Sequence, residues 1–295
     1  RLNLDTPFDV TYNYVKNGGS ETTLVSEIHY AGTTLSYDYD QFGNITAISN
    51  NGQVTDSYEY DKLNQLVKWT RGSDVTEYTY DNGGNILSVK TNGQTVKTYG
   101  YTDPDWKDLL TQYNGQTITY DEIGNPLNYR DGYQFTWQNG RRLATVSKDA
   151  NNISYTYDPD GIRTQKTVNG ATTRFHILNG TLLGQTKGSD TMLFLYDESG
   201  AKFGFDYNGT KYYYIQNAQG DVTGLLNAAG EQIASYTYDV WGKLLSVTDA
   251  NGNQITDPTH IAHLNPIRYR GYYYDTETGF FYVGSRYYDP QTGRF

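Results

Sequence analysis

The chain has 295 residues, 36% of them apolar and 15% aromatic, with a net charge of -10 and no Cys. Ordinary domains are roughly 45–50% apolar, but 31 Tyr residues exclude disorder, because Tyr forms strands and replaces Leu or Val where one sheet face is wet. The acidity, with no basic run longer than Arg141-Arg142, argues against nucleic acid as a direct partner; the lack of Cys excludes disulfides, thiol catalysis and Cys-based zinc sites, and no apolar stretch reaches the ~20 residues of a membrane span.

In chain order, the first segment, "RLNLDTPFDV", has no Met, and the last, "FYVGSRYYDPQTGRF", stops just after a tyrosine strand. Both ends are expected to be cuts in a longer polypeptide. Between them runs a Tyr-Asp beat. "YDYDQFGN", "YEYDKLNQ", "YTYDNGGN", "ITYDEIGN", "YTYDPDGI", "FLYDESGA" and "YTYDVWGK" place Asp40, Asp61, Asp81, Asp121, Asp158, Asp197 and Asp239 at intervals of 21, 20, 40, 37, 39 and 42. The long intervals are doubles, each hiding a degenerate copy at "YGYT" (99–102), "FTWQ" (135–138), "FHIL" (175–178) or "YIQN" (214–217).

Each unit has a mechanical reading. In Tyr78-Thr79-Tyr80 the two rings share one face of a strand and Thr79 takes the other. Asp81 then opens a turn by accepting a backbone N–H two residues on, and Gly84 supplies positive φ at the fourth position. Gly43, Gly124, Gly161, Gly200 and Gly242 occupy the same place. A second strand returns, with Leu87 and Val89 expected on one face and Ser88 on the other; Val67 and Trp69, Leu127 and Tyr129, and Leu245 and Val247 repeat the offset. Asn-Gly at 51, 92, 114, 169, 208 and 251 closes each unit as a hairpin turn. "AAGEQIAS" is too short and glycine-broken for a helix. The predicted fold is all-β: an antiparallel β-hairpin array that must curl into a spiral sheet or shell, because sheets twist with one hand.

The Tyr-Asp beat, "YYYIQNAQGDVTGLLNAAGEQIASYTYDVWGKLLSVTD" (212–249) and "NPIRYRGYYYDTETGFFYVGSRYYDPQTGRF" (265–295) resemble the YD-repeat, or Rhs, family of bacterial polymorphic toxins, wall-associated proteins and teneurins. The resemblance covers nearly the whole chain and is most similar to Firmicute members. It implies a YD-repeat array over 1–255 and an Rhs-associated core over 256–295. It also implies a secreted or surface-displayed bacterial protein whose shell surrounds its own C-terminal toxin polypeptide. That toxin would lie beyond residue 295 and further YD repeats would lie upstream.

The family also offers a reaction. Its self-cleaving members use an aspartic-protease-like site, and the Arg and Asp of their R-Y-Y-D-P motif match Arg286 and Asp289. The partner Asp of that site would fall beyond Phe295. Two carboxylates must share a proton for such chemistry, so this chain is expected to be inert by itself. The plainer reading of Asp289 is a turn residue, with Pro290 presetting φ and Gly293 closing the turn. No catalytic residue, cofactor or metal is assigned. His260 and His263 lack a third ligand, and His29 and His176 sit in strand patterns. The rival class is a carbohydrate- or cell-surface-binding module using Trp69, Trp106, Trp137 and Trp241, which would have to gather around one groove. The net charge further suggests an acidic wall facing a basic cargo.

Overall fold

In the computed structural model residues 9–295 are described, and they form two compact units, Asp9–Tyr133 and Gln134–Phe295. In the first unit an eleven-stranded antiparallel sheet runs in sequence order from Val10–Asn17 to Gln116–Thr117, and the short strands Thr119–Tyr120 and Pro126–Asn128 pair after it. In the second, every strand from Gln134–Gln138 to Leu244–Thr248 pairs with the next in sequence, and a separate three-stranded sheet holds Tyr273–Asp275, Phe280–Val283 and Arg286–Tyr288. The sheets are antiparallel, as the repeat predicts, and they are not closed. The first half of "AAGEQIAS" lies in the turn after Asn227, and its second half opens strand Gln232–Tyr238. Among the described residues the one α-helix is Ile261–Leu264, a single turn.

The Asn-Gly turns have both central residues in the left-handed region, as at Asn92 (φ 49°) and Gly93 (φ 79°). That geometry matches the twist of the flanking strands. Each Asn also ties its turn to the hairpin before it: Asn92 N–H donates to the Val75 carbonyl, and its Oδ1 accepts the Val75 N–H at 2.9 Å. Asn51, Asn114, Asn169 and Asn208 repeat this. Asn251-Gly252 differs from expectation. Asp249, two residues earlier, accepts the Asn251 N–H, so Gly252 (φ 84°) becomes the fourth residue of an Asp-opened turn.

The alternation after each Asp turn also departs from the sequence reading. Thr79 pairs with Ser88 but Tyr80 pairs with Ile86, leaving Leu87 as an extra residue in a β-bulge. Ile86 and Val89 are therefore buried while Leu87 faces out. The same shift skips Val67, Leu127 and Leu245, and the last two are exposed. A bulge inserts one residue into a strand and so moves the residues beyond it to the other face. It also re-aims the tyrosine before the Asp. Tyr80 Oη donates to the Leu66 carbonyl (2.6 Å), Tyr60 to Ile45 (2.9 Å), Tyr157 to Leu143 (2.9 Å) and Tyr196 to Leu182 (2.6 Å). The tyrosine of each repeat thus staples its strand to the preceding hairpin.

Candidate functional site at the docked closing segment

The repeat carboxylates occupy one rim of each array. Asp81 Oδ1 accepts the N–H groups of Gly83 (2.8 Å) and Asn85 (2.9 Å), and Gly84 N–H donates to the Asp81 carbonyl at 3.1 Å. Asp40, Asp61, Asp121, Asp197 and Asp239 accept from the same two positions, and Asp158 accepts from Ile162. Gly43, Gly84, Gly124, Gly161, Gly200 and Gly242 all have positive φ; after Asp61 the place belongs to Asn64 (φ 59°). Bonds to the ionised form favour it, led by the Asn44 amide at Asp40 and by Ser199 at Asp197, so both carboxyls lie below their ordinary range. The Asn four residues after Asp escaped the sequence reading, although "DQFGN", "DNGGN" and "DEIGN" display it. Its side-chain amide donates to the second carboxylate oxygen at Asp40, Asp81 and Asp121.

In the second unit the segment after the array folds back across the aromatic face of its own sheet. Phe205, Val222, Leu225, Ala234 and Ile267 are completely or almost completely buried in the resulting core. Polar contacts fix the docking. Tyr236 Oη donates to the Ala262 carbonyl (2.6 Å), Tyr214 Oη to Asn265 Oδ1 (3.1 Å), Tyr273 Oη to Gln185 Oε1 (2.7 Å), and Tyr288 Oη to the Trp241 carbonyl (2.8 Å). The buried Arg268 guanidinium donates to the carbonyls of Asn265, Ala262 and His263. At the rim, the Tyr269 ring lies where a Cβ on Gly242 would stand, so only glycine fits.

At the centre of this contact is a buried charge cluster. The fully buried Asp275 carboxylate accepts Arg163 through both terminal nitrogens (2.5 and 3.2 Å) and Lys166 Nζ at 2.9 Å; Lys166 also reaches Glu277 at 2.8 Å. Arg163 lies among the rings of Phe175, Tyr282 and Tyr273, with its carbon 4.3 Å from the Tyr282 centroid. Burial pushes the Asp275 carboxyl up, but the Arg163 guanidinium and Lys166 ammonium outweigh it and hold the group below its ordinary value. Burial drives the Tyr155 hydroxyl well above its usual range, and that hydroxyl has no hydrogen-bond partner among the described residues. Sequence reading missed Asp275, Arg163 and Lys166. A single signal pointed to the two cations: both stand on strand "RTQKTV", at positions where Ile86 and Val89 of another repeat are apolar.

A family model described as Teneurin YD-shell matches residues 31–295. The chain belongs to the YD-repeat (Rhs) family. Among similar proteins, the tRNA3(Ser)-specific nuclease WapA of Bacillus spizizenii is 36% identical over 94% of this YD-shell chain, and the tRNA nuclease WapA of Bacillus subtilis strain 168 matches equally well. The chain spans about a tenth of the length of those relatives. In fold it is similar to a TcdB2-TccC3-Cdc42 crystal structure (TM-score 0.75, 20% identity, 98% of this chain, 17% of that one) and to the Photorhabdus luminescens Tc holotoxin pore (TM-score 0.75, 20% identity, 97% and 16%).

The remaining sequence candidates fall in separate places on this YD-shell chain. Asp289 is buried. Its carboxylate accepts the Gln291 N–H (3.0 Å) and the Thr292 hydroxyl (3.1 Å), and its carbonyl accepts the Gly293 N–H, with φ of 70° at Gly293. Arg286 is exposed and stacks 4.1 Å over the Phe295 ring. His260 Nδ1 accepts the Ala262 N–H, and His263 Nε2 donates to the Ile255 carbonyl. His29 contacts the Thr34 hydroxyl and His176 the Thr186 hydroxyl. Trp69 is buried and donates to Asp56; Trp106 packs at Gly124, Trp137 beside Phe135, and Trp241 under Gly293. Each ring serves its own local contact. Asp38, Glu59 and Glu77 are exposed and alternate with Tyr37, Tyr58 and Tyr78, so they lie on the face opposite those rings, as strand periodicity requires. No helix among the described residues is long and apolar enough to cross a membrane.

Proposed function

We propose that this chain is a structural shell segment of a secreted or surface-displayed Rhs toxin, and that it encloses and positions a C-terminal toxic polypeptide beyond residue 295. The observation that carries this reading is the docking of residues 256–295 across the aromatic face of the sheet, sealed by Asp275 on Arg163 and Lys166. Phe295 packs on Tyr288, whose hydroxyl bonds to the sheet at Trp241, so the chain is led onto that face. The family and the nuclease-named relatives agree with a toxin-related role. On this reading 1–255 is the repeat wall and 256–295 its closing core, with upstream repeats as lateral partners. The wall itself performs no catalysis. A glycan-binding role is less favoured, because the four Trp side chains serve separate packing contacts.

Protease protection in the full-length protein tests the enclosure. The polypeptide beyond residue 295 should survive at protease levels that leave the shell intact, and its rapid digestion there would refute the reading. Asp289 and Arg286 are proposed to contribute to self-cleavage once a second carboxylate from downstream joins them. Intact mass of the full-length protein beside its Asp289→Asn version checks this. Cleavage only in the former supports the role, and no cleavage in either leaves Asp289 a turn residue.

A further inference from the structure

A rule of the repeat carries an inference about a second site. The residue paired across the strand from the repeat tyrosine is apolar at Ile45, Leu66, Ile86 and Leu244, opposite Tyr39, Tyr60, Tyr80 and Tyr238. Two repeats place a cation there instead: Arg163 opposite Tyr157 and Lys202 opposite Tyr196. The first cation receives a carboxylate, Asp275, from the closing segment. The second receives none. Lys202 makes one contact, over the Tyr196 ring at 5.4 Å, and no ion pair among the described residues.

Lys202 lines a cavity of about 550 Å³ between the sheet and the turn at 283–285. Ile162, Phe175, Ile177, Leu182 and Tyr196 supply its apolar wall. Two other charged residues border it. Arg163 is engaged by Asp275, and Asp160 is exposed at the rim. Leaving water without an opposite charge disfavours an ammonium, and burial indeed pulls the Lys202 amine below its ordinary value. Lys166, on the same sheet, shows the contrast: burial alone would lower it, but Asp275 raises it above its usual range.

We propose that this cavity is a binding site for a carboxylate borne on an apolar group, with Lys202 as its ion-pair partner. The apolar wall accepts the hydrocarbon part and the ammonium orients the acid. The carboxylate can come from a small organic acid or from an Asp or Glu side chain of a polypeptide.

Calorimetric titration of the intact chain at pH 7 provides the test, with 3-phenylpropionate, 3-phenylpropan-1-ol and N-acetyl-Phe-Asp-amide as probes. The acid should bind roughly tenfold or more tighter than the alcohol, the range expected of a hydrogen bond to a charged group. Lys202→Met should abolish that preference. A tighter peptide identifies a polypeptide source and a tighter small acid a metabolite source. Equal binding of acid and alcohol, no binding of either acid, or an unchanged preference in Lys202→Met overturns the proposal. Should that variant fail to fold, lysines of the wild type can be carbon-13 methylated and followed by NMR. The Lys202 signal should titrate at lower pH than the exposed lysines and move upward when the acid is added; an unmoved titration also overturns it.

Discussion

Tyr-Asp pairs open turns throughout this chain, yet the carboxylates of Asp81, Asp289 and Asp275 have different fates. Asp81, on the array rim, keeps both oxygens for its own turn, bonding Gly83, Asn85 and the Asn85 amide. Asp289, in the closing segment, is buried but also bonds locally, to Gln291 and Thr292. Asp275 opens its turn through the backbone alone, its carbonyl accepting from Thr278 and Gly279, and its carboxylate crosses to Arg163, 112 residues earlier. Spacing separates the rim from the closing segment: at Asp81 a Gly comes fourth and an Asn fifth, whereas after Asp275 and Asp289 the Gly comes fifth, at Gly279 and Gly293. Between the last two the difference is the partner within reach, because only Asp275 meets the cations Arg163 and Lys166. One dipeptide thus builds a wall in one region and fastens a lid-like segment in another.

The largest expected effect separates these two uses. Asp275→Asn leaves the buried Arg163 without a carboxylate and Lys166 with Glu277 alone, and should cost about 3–5 kcal/mol in urea unfolding, against about 1 kcal/mol for Asp81→Asn. Equal losses would erase the distinction. Gly242→Ala comes next. A methyl there enters the Tyr269 ring, whereas Gly170, with a similar φ of 88°, has open space. Gly242→Ala should therefore cost about 1–3 kcal/mol more than Gly170→Ala, read from melting of the two variants. Removing one staple is smaller again. Tyr80→Phe should lose about 1 kcal/mol, and Tyr238→Phe more, because the Tyr238 bond to the Val222 carbonyl is buried and leaves an unpaired acceptor.

The smallest effect is in pH. Asp40, Asp121, Asp197, Asp249 and Asp275 all have folded-state values held below the ordinary 3.8. The unfolded chain therefore binds more protons in that range. Their stabilisation is complete above about 3.8 and is lost as pH falls through the folded values. Carboxyl NMR titration should find these groups protonating later than a free Asp; a rim group titrating at the ordinary value would break the account of the turn.

Much of the wall was legible in the sequence, because its contacts are local. Asp81 and Gly84, and Asn92 and Gly93, each lie within a repeat, and a period near twenty exposes them. The bulge was not, because a strand read by simple alternation places Leu87 inside; only cross-strand pairing shows that Tyr80 skips to Ile86. Arg286 and Asp289 could be picked out by resemblance, but the local partners that occupy them, Phe295 and Thr292, required coordinates.

By itself the sequence determined the all-β class, the antiparallel order of neighbours and the rim of Asp turns, since periodicity two, Asn-Gly dipeptides and local hydrogen bonds act over a few residues. The tertiary structure alone decided which sheet face is covered in the second unit, where the Asp275 charge is neutralised, and why Lys202 stands unpaired. Those outcomes depend on residues as many as 112 positions apart meeting across a buried interface, where desolvation makes each missing partner costly.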